Sequence, residues 1–165
     1  MPDAPQLVVV CGLPGAGKTT VAEAVADRLD ADLLRTDVVR KELFPDPDYT
    51  TEESRRAYEA LLDRADAVLS TGNAVVLDGT FRRAERRRWA RDLGARHDAD
   101  AQLVHVTCEE AVAKRRIRAR EGDASDADVE VYDLLREEFE PPEKPVVVDN
   151  SGDLAATRAR VRDLF

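Results

Sequence analysis

The sequence Gly12-Leu13-Pro14-Gly15-Ala16-Gly17-Lys18-Thr19 follows the pattern G-x-x-x-x-G-K-[ST], which is typical of a loop that wraps a chain of phosphates. The apolar residues 7–11 come directly before it and predict a buried parallel strand. Residues 20–29 follow it with apolar side chains at helical spacing, and they predict a helix. A strand before and a helix after make a chance match far less frequent, so residues 12–19 are predicted to form a phosphate loop.

Each part of the phosphate loop has a physical task. Glycines let the backbone fold closely around a pyrophosphate, so that amide groups and the positive end of the helix face the anion. We expect Lys18 to reach the β- and γ-phosphates and the hydroxyl of Thr19 to ligate Mg²⁺. The motif therefore predicts a nucleoside triphosphate site. The residues predicted to hold the nucleotide here are Gly12, Pro14, Gly15, Ala16, Gly17, Lys18, Thr19 and Thr20.

The length and composition indicate one domain outside the membrane. With 165 residues the chain is long enough to bury a core, and we expect a single domain over residues 1–165. The longest apolar run, residues 7–11, is too short to span a bilayer, and the first residues lack the features of a signal peptide. The two cysteines, Cys11 and Cys108, form neither a metal motif nor a disulfide framework. We therefore expect a cytoplasmic protein with no membrane partner, either a monomer or a weak dimer.

The charge balance is strongly acidic. The formal net charge is −9, and the chain has 20 aspartates and 21 arginines but only 4 lysines. Self-repulsion at such a charge destabilises a compact fold, and salt relieves it by screening. The composition favours a halophilic protein, and an ordinary acidic protein from a GC-rich genome is the alternative.

Five apolar segments alternate with helical patterns along the chain. This alternation predicts βα units on a mostly parallel sheet that helices cover on both faces. The predicted fold class is therefore α/β, a P-loop three-layer αβα sandwich with a five-stranded, mostly parallel sheet. The predicted strands are residues 7–11, 32–36, 74–78, 102–108 and 145–149.

Capping residues and glycines mark the predicted helix ends. Thr50 and Glu53 form a capping-box pattern ahead of a helix that ends at Gly72. The helix that begins at residue 83 is predicted to end at Gly94. Other helices are predicted over residues 109–121, over 154–164, and from the capping residues Ser125 and Asp128 to the prolines at 141 and 142.

Asp37 and Arg40 follow the second predicted strand. Ligands of open α/β sheets gather at the carboxyl ends of the strands. Asp37 would there accept a proton from an attacking hydroxyl, and Arg40, three residues on, would offer a bidentate fork to an anionic group. The alternative is a capping aspartate followed by an exposed arginine.

Asp78 ends the third predicted strand, in the arrangement of a Walker B acid that orients Mg²⁺ or its waters. It could equally position an acceptor hydroxyl. Aspartate is also common at strand ends as a turn former, which is the structural alternative.

Arg116 and Arg120 are four residues apart and so share one helical face. They lead into a segment with glycine and aspartate that could close as a lid, at about residues 118–128. Phosphoryl transfer spreads charge over the equatorial oxygens of the phosphorus, and an arginine brought by a lid stabilises that charge. A solvated basic face is the alternative.

The chain resembles the P-loop kinases grouped with phage-type polynucleotide 5′-hydroxyl kinase domains, zeta toxins, chloramphenicol phosphotransferase and gluconate kinase. It is most similar to the small single-domain AAA-type ATP-binding proteins of that group, from residue 7 to about residue 152. The resemblance is carried by G-L-P-G-A-G-K-T-T, T-D-V-V-R-K, V-V-L-D-G-T-F and R-I-R-A-R followed by S-D-A-D. It implies a nucleotide-kinase-like fold with a short lid.

The resemblance also implies roles for single residues. Asp37 would be the general base and Arg40 its partner in orienting the substrate, while Asp78 would position the acceptor or Mg²⁺. Arg120 would lie nearer the transferring phosphate and Arg116 nearer the adenine or the α-phosphate. The segment from Asn150 to Gly152, with Ser151 assigned to the nucleotide, would border the base, and Gly79 stands where the family often has alanine. The implied catalytic residues are Lys18, Asp37, Arg40, Asp78 and Arg120, and the implied metal ligands are Thr19 and Asp78.

The function predicted on these residues is an ATP-dependent kinase that acts on a hydroxyl of a small molecule or of a nucleic-acid 5′ end. A nucleotide-binding switch or an ATPase without a phosphoacceptor remains the alternative, although the chain lacks the Asn-Lys-x-Asp motif for guanine. The acceptor has no diagnostic motif. An arginine-rich cluster between Arg82 and Arg91 could attract nucleic acid, or its arginines could pair with surface acids.

Overall fold

The five predicted strands form one sheet in the computed structural model, which describes residues 4–120 and 128–165. The strand order is β2-β3-β1-β4-β5, and every neighbouring pair is parallel. The predicted α/β fold is confirmed, with a sheet that is fully rather than mostly parallel. The strands are β1 (Gln6–Cys11), β2 (Asp32–Arg35), β3 (Val75–Asp78), β4 (Asp100–Thr107) and β5 (Val146–Asp149).

Helices cover both faces of this sheet. Because β1 is central, its alternate side chains supply both cores. Leu7 and Val9 face the core beneath α2, α3 and α4, while Val8 and Val10 face the core beneath α1 and α7. A smaller cluster joins α5 and α6 to Leu13 of the phosphate loop. The helices are α1 (Lys18–Leu29), α2 (Thr36–Leu43), α3 (Thr51–Ser70), α4 (Ala84–Arg96), α5 (Glu110–Ala119), α6 (Val129–Glu138) and α7 (Leu154–Leu164).

The predicted caps explain two helix starts. The Thr50 hydroxyl accepts a hydrogen bond from the Glu53 amide at 3.1 Å, and the Glu53 carboxylate accepts one from the Thr50 amide at 3.4 Å, which completes the capping box. The carboxylate of Asp128 accepts a hydrogen bond from the Val131 amide at 2.8 Å at the start of α6. Ser125, the other residue predicted for that cap, lies outside the described residues.

One helix was missed, and the end of another was predicted wrongly. Helix α2 was not predicted, and Thr36, expected to end a strand, is its first residue. Its eight residues include two valines and its start has no side-chain cap, so the local sequence carries little helical signal. Helix α4 continues past Gly94 to Arg96. A Cβ at Gly94 would come within 3.2 Å of the Ala101 Cβ, so the glycine serves close packing against the sheet and does not end the helix.

The strand order determines where the site forms. β3 and β4, which are consecutive in the chain, lie on opposite sides of β1 in the sheet. The strand order therefore reverses at β1, beside the phosphate loop, and ligands of open α/β sheets bind at such a point. In the register of the sheet, Asp78 lies beside both Val10 and Arg35. The ends of β1, β2 and β3 therefore meet at one edge. Within residues 4–120 and 128–165, no helix has the length and apolar character that crossing a bilayer requires.

Candidate active site

The phosphate loop leaves β1 and enters α1 through glycines in a left-handed conformation. Gly15 has φ 77° and Gly17 has φ 88°, a backbone region that side chains disfavour. A Cβ at Gly17 would also lie 1.9 Å from the Nδ2 atom of Asn150. Only glycine fits this position, so the backbone amides at the start of α1 remain open to a phosphate.

Lys18 is the first residue of α1, and its ammonium group donates a hydrogen bond to the Leu13 carbonyl at 3.1 Å. Burial lowers the pKa of Lys18, Arg120 lowers it further, and the carboxylates of Asp78 and Asp37 oppose this shift. The charged form is therefore short of compensating anions. A triphosphate would supply them, as the motif predicts.

Thr19 and Asp78 come together beside this lysine. The Thr19 hydroxyl donates to Asp78 Oδ2 at 2.7 Å, and the Asp78 side chain is only 4% exposed. One hydroxyl and one carboxylate fit Mg²⁺, which takes oxygen ligands and is usually held by few protein groups together with water and phosphate oxygens. The donor set thus suits the predicted metal ligands.

Asp37 lies in the first turn of α2. Burial raises its pKa, and Asp78 raises it further, while Lys18, Arg35 and Arg40 act to lower it. These opposing effects show that the carboxyl group lies among the charged groups around the phosphate loop. The sequence predicted a proton-accepting group at this position, and the charged neighbours of Asp37 are compatible with that prediction.

Arg40 lies one turn further along α2 and is only 8% exposed. Its Nη2 atom donates to the Ser54 hydroxyl at 3.0 Å, and its guanidinium stacks 5.1 Å from the centre of the Tyr49 ring. The Nη1 atom is buried and has no hydrogen-bond partner among the described residues. An unsatisfied buried donor costs free energy, so it marks a place where a ligand could supply an acceptor.

Arg116 and Asn150 support the phosphate loop from the opposite side. Arg116 donates to the Asn150 carbonyl at 2.7 Å and to the Gly15 carbonyl at 3.4 Å. Asn150 donates from Nδ2 to the Ala16 carbonyl at 2.9 Å and is hydrogen-bonded to Thr157 through Oδ1. The sequence singled out Ser151 for the nucleotide, whereas Asn150 makes the contact with the loop. No sequence signal distinguished the two, because both follow the same strand.

Ser151 and Arg120 occupy other parts of the site. The Ser151 hydroxyl accepts a hydrogen bond from the Glu109 amide at 2.9 Å, which ties the ends of β4 and β5 together. Arg120 follows the last residue of α5, and its charge lowers the pKa of Lys18 after the larger effect of burial, so the two cations lie within electrostatic range of each other. The segment predicted as a lid extends into residues 121–127, which lie outside the described residues.

Arg35 and Thr36 were missed as site residues. The Arg35 Nε donates to Asp78 Oδ2 at 3.2 Å, and the Thr36 hydroxyl donates to the Asp78 carbonyl at 3.1 Å. Arg35 ends β2 and Thr36 begins α2 directly after it, so both contacts with Asp78 depend on the register of β2 against β3. No sequence signal predicted them, because only the sheet order makes these two strands neighbours.

Gly79 has a structural role here that the resemblance did not indicate. A Cβ at this position would lie 2.3 Å from the Thr36 hydroxyl oxygen. Alanine, the residue frequent in the family, would therefore force Thr36 away from its bond to the Asp78 carbonyl. The small residue therefore lets α2 begin close to the end of β3.

We expect Gly79→Ala to lower the free energy of unfolding by about 1–3 kcal/mol, the usual cost of overpacking. Chemical denaturation measures it, and Gly152→Ala is the control because a Cβ there would meet nothing within 4 Å. The double variant Gly79→Ala/Thr36→Ala should recover most of the loss, since the clashing hydroxyl is gone. Equal stability of Gly79→Ala and the control would show that the contact is unimportant.

Two arginines of the cluster after Asp78 bond to other groups of the protein, one in an ion pair and one in the interior. Arg82 forms an ion pair with Glu138 at 3.0 Å. Arg87 is buried and donates to the carbonyls of Phe81 at 2.7 Å and Glu140 at 2.9 Å, so it holds the chain together. These contacts agree with the alternative that the arginines pair within the protein.

Strand order, phosphate loop and the Thr19–Asp78 pair together define a P-loop nucleotide-binding protein with a kinase-like fold. A family model described as an AAA domain matches residues 7–142, and the chain belongs to this family. The predicted membership in a small AAA-type P-loop kinase group is thereby confirmed.

Individual proteins similar to this chain include kinases. The uncharacterized protein Rv2004c of Mycobacterium tuberculosis (strain ATCC 25618 / H37Rv) is 34% identical over 144 residues, which cover 79% of this chain and 28% of that protein. The chain thus spans little more than a quarter of that relative. A shikimate kinase of Thermobifida fusca (strain YX) is 36% identical over 115 residues, covering 67% of this chain and 63% of the kinase. The APS kinase CysC of Mycobacterium tuberculosis, in complex with AMPPNP and APS, superposes with a TM-score of 0.74 at 22% identity, covering 99% and 98% of the two chains, and shows the same fold.

Proposed function

We propose that the protein is an ATP-dependent kinase that transfers the γ-phosphoryl group to a hydroxyl of a small-molecule acceptor, with Mg²⁺ as its cofactor. The observation that carries the proposal is the meeting of Lys18, the Thr19–Asp78 pair and the partly buried Asp37 at one edge of the sheet. A nucleotide switch needs the first two features but has no use for an acid with a raised pKa beside them. The names of the relatives, shikimate kinase and APS kinase, support phosphoryl transfer.

In the proposed reaction the acceptor oxygen forms a bond to the γ-phosphorus while the bond from that phosphorus to the β–γ bridging oxygen breaks, and ADP leaves. Asp37 orients the hydroxyl and takes its proton late, because the transition state is loose. Lys18 and Arg120 stabilise the charge on the transferring phosphoryl group. Mg²⁺, when bound through Thr19 and Asp78, neutralises charge on the phosphates.

Arg116 and the Asn150–Ser151 segment are proposed to border the adenine side of the nucleotide. The contacts of Arg116 and Asn150 with the phosphate loop support this position. Arg120 is proposed to move with a lid at about residues 118–128, within a single domain of residues 1–165. The cytoplasmic location, the halophilic character and the monomeric or weakly dimeric state stay predictions.

The proposal is tested with labelled ATP and Mg²⁺, at low and high salt, against a panel of acceptors. The panel holds anionic alcohols, neutral sugars, nucleosides, aminoglycoside-like amino alcohols and 5′-hydroxyl oligonucleotides. We expect label on a small alcohol, and no label with a Lys18→Met preparation that controls for contaminating kinases. Release of free phosphate alone would favour an ATPase, and label only on oligonucleotides would favour a nucleic-acid end.

A further inference from the structure

A cleft lies between the start of α3 and the chain that follows β3. Its lining includes Tyr49, Ser54 and Tyr58 on one side and Arg82, Arg83 and Arg86 on the other. Ser54 belongs to the first turn of α3, whose positive end adds to the arginine charges. The cleft thus concentrates positive charge in a protein whose formal net charge is −9.

Arg86 is the unusual residue of this cleft. It is only 5% exposed, and its guanidinium stacks on the rings of Trp89, 4.4 Å away, and Tyr58, 5.7 Å away. In the described part of the chain, its guanidinium has neither a hydrogen bond nor an ion pair within bonding distance. Burial lowers the pKa of Arg86, and the charges of Glu85 and Glu59 oppose this only in part, so an anion bound in the cleft would stabilise the guanidinium.

Arg40 lies directly behind the lining of this cleft and carries an unsatisfied buried donor. It contacts Tyr49 and Ser54, which both line the cleft, and its Nη1 atom is the buried donor described above. Tyr58 connects the cleft to the site: burial raises the pKa of its hydroxyl, and the charge of Asp37 raises it further. An acceptor that extends from Asp37 into the cleft would meet Arg86 and the two lining side chains, Tyr49 and Ser54, that Arg40 contacts.

We propose that Arg40 and Arg86 form an anion subsite that binds a carboxylate, sulfate or phosphate group of the acceptor. The inference rests on the proposed function and deepens it: the acceptor is a small alcohol that carries an oxyanion some distance from its reacting hydroxyl. Guanidinium groups suit this task because they donate paired hydrogen bonds to planar or tetrahedral oxyanions.

A small acceptor fits these contacts better than a polynucleotide. The guanidiniums of Arg40 and Arg86 are both buried, so a group must enter the cleft to reach them. The more exposed Arg82 already pairs with Glu138, and the groove beside it is also lined by Glu85 and Glu140. Three glutamates offset the three arginines that line this groove, so it offers little net attraction to a phosphodiester backbone.

The test uses inorganic sulfate as the probe, titrated at constant ionic strength onto protein saturated with AMPPNP and Mg²⁺, which occupy the phosphate loop. Binding is followed by calorimetry and by thermal unfolding. We expect Arg86→Met to weaken sulfate binding roughly 10- to 100-fold, the usual loss for charge-assisted hydrogen bonds. Arg91→Met, which removes the same charge from an exposed position of the same helix, should bind sulfate normally.

Stability separates this role from a structural one. Since methionine keeps the packing and removes an unpaired buried charge, Arg86→Met without ligand should unfold at the same temperature as the unmodified protein or higher. If Arg86→Met does not fold, Arg86→Lys is used instead. Lysine keeps the charge but lacks the planar pair of donors, so this variant should bind sulfate several-fold more weakly. Normal sulfate affinity in the variant that folds would overturn the subsite, and so would an unmodified protein that binds no sulfate.

The acceptor panel completes the test. Transfer to glycerol 3-phosphate, or to another anionic alcohol, should exceed transfer to its neutral counterpart, and Arg86→Met should remove that preference. Sulfate binding that depends on Arg86 would support the subsite even if no acceptor is labelled, and the kinase proposal alone would then fail. A 5′-hydroxyl oligonucleotide as the preferred acceptor, with Arg86-dependent affinity, would overturn the small-molecule class.

Discussion

Replacing Asp37 by asparagine is expected to slow phosphoryl transfer by roughly 10²- to 10⁴-fold, the usual contribution of a positioned general base. Asparagine keeps the shape of the side chain but can neither take the proton nor attract the hydroxyl with a full charge. ATP binding should change little, because the triphosphate contacts come from the phosphate loop. Rapid-quench transfer assays and calorimetry with AMPPNP measure the two effects separately.

The same variant should be at least as stable as the unmodified protein at neutral pH. Burial raises the pKa of Asp37 in the folded state. Between its ordinary pKa and that raised value the unfolded chain holds fewer protons than the folded one, so the unmodified protein loses stability as the pH rises through this window. Asparagine does not titrate, and the difference in unfolding free energy should vanish at acidic pH. Denaturation at several pH values checks the sign.

The pH dependence of transfer follows from the same shift. The ionised carboxylate is the active form, so the rate of the unmodified protein should fall as the pH drops through the raised pKa, above the usual range for aspartate. Asp32→Asn is the matched control, since Asp32 is exposed at the opposite end of β2. A transfer rate of Asp37→Asn equal to that of this control would show that another group is the base.

Replacing Lys18 by methionine is expected to weaken ATP binding roughly 10- to 100-fold, because charge-assisted hydrogen bonds to the phosphates are lost. Transfer should fall by a further factor of roughly 10² to 10³, since the ammonium also stabilises charge that develops in the transition state. Calorimetry gives the affinity, and single-turnover kinetics at saturating ATP give the rate.

Thermal unfolding provides an independent readout for Lys18→Met. Burial lowers the pKa of Lys18, so the charged form costs the nucleotide-free protein stability at neutral pH, and methionine should leave that stability unchanged or raise it. ATP with Mg²⁺ should raise the melting temperature of the unmodified protein and of Lys144→Met, an exposed control, but hardly that of Lys18→Met. An equal rise in all three would contradict the assignment of Lys18 to the phosphates.

The helix ends show which structural features the local sequence can predict. The capping box of Thr50 and Glu53 was predictable, because both bonds form within four consecutive residues. Gly94 reads as a helix end, yet α4 continues because the glycine packs against Ala101 of the sheet. Local patterns therefore predicted that the elements exist, whereas contacts between elements determined where some of them end.

The candidate site divides in a similar way. The sequence placed Asp37 after the second strand and Asp78 at the end of the third, which follows from the alternation of strands and helices alone. It could not show that Arg35 bonds Asp78, or that a Cβ at residue 79 would reach Thr36, since both depend on the register of β2 against β3. The role of Asn150 could not be predicted either, because its contact with Ala16 spans 134 positions of the chain.

Sequence alone determined the P-loop fold and the predicted triphosphate site, because hydrophobic periodicity and the backbone freedom of glycine act over a few neighbouring residues. Only the tertiary structure decided what each arginine does. Arg82, Arg86 and Arg87 look alike along the chain, yet one pairs with Glu138, one is buried against aromatic rings and one holds backbone carbonyls. The cost of a charge depends on its burial and on the groups that distant segments bring beside it, and neither quantity exists until the chain has folded.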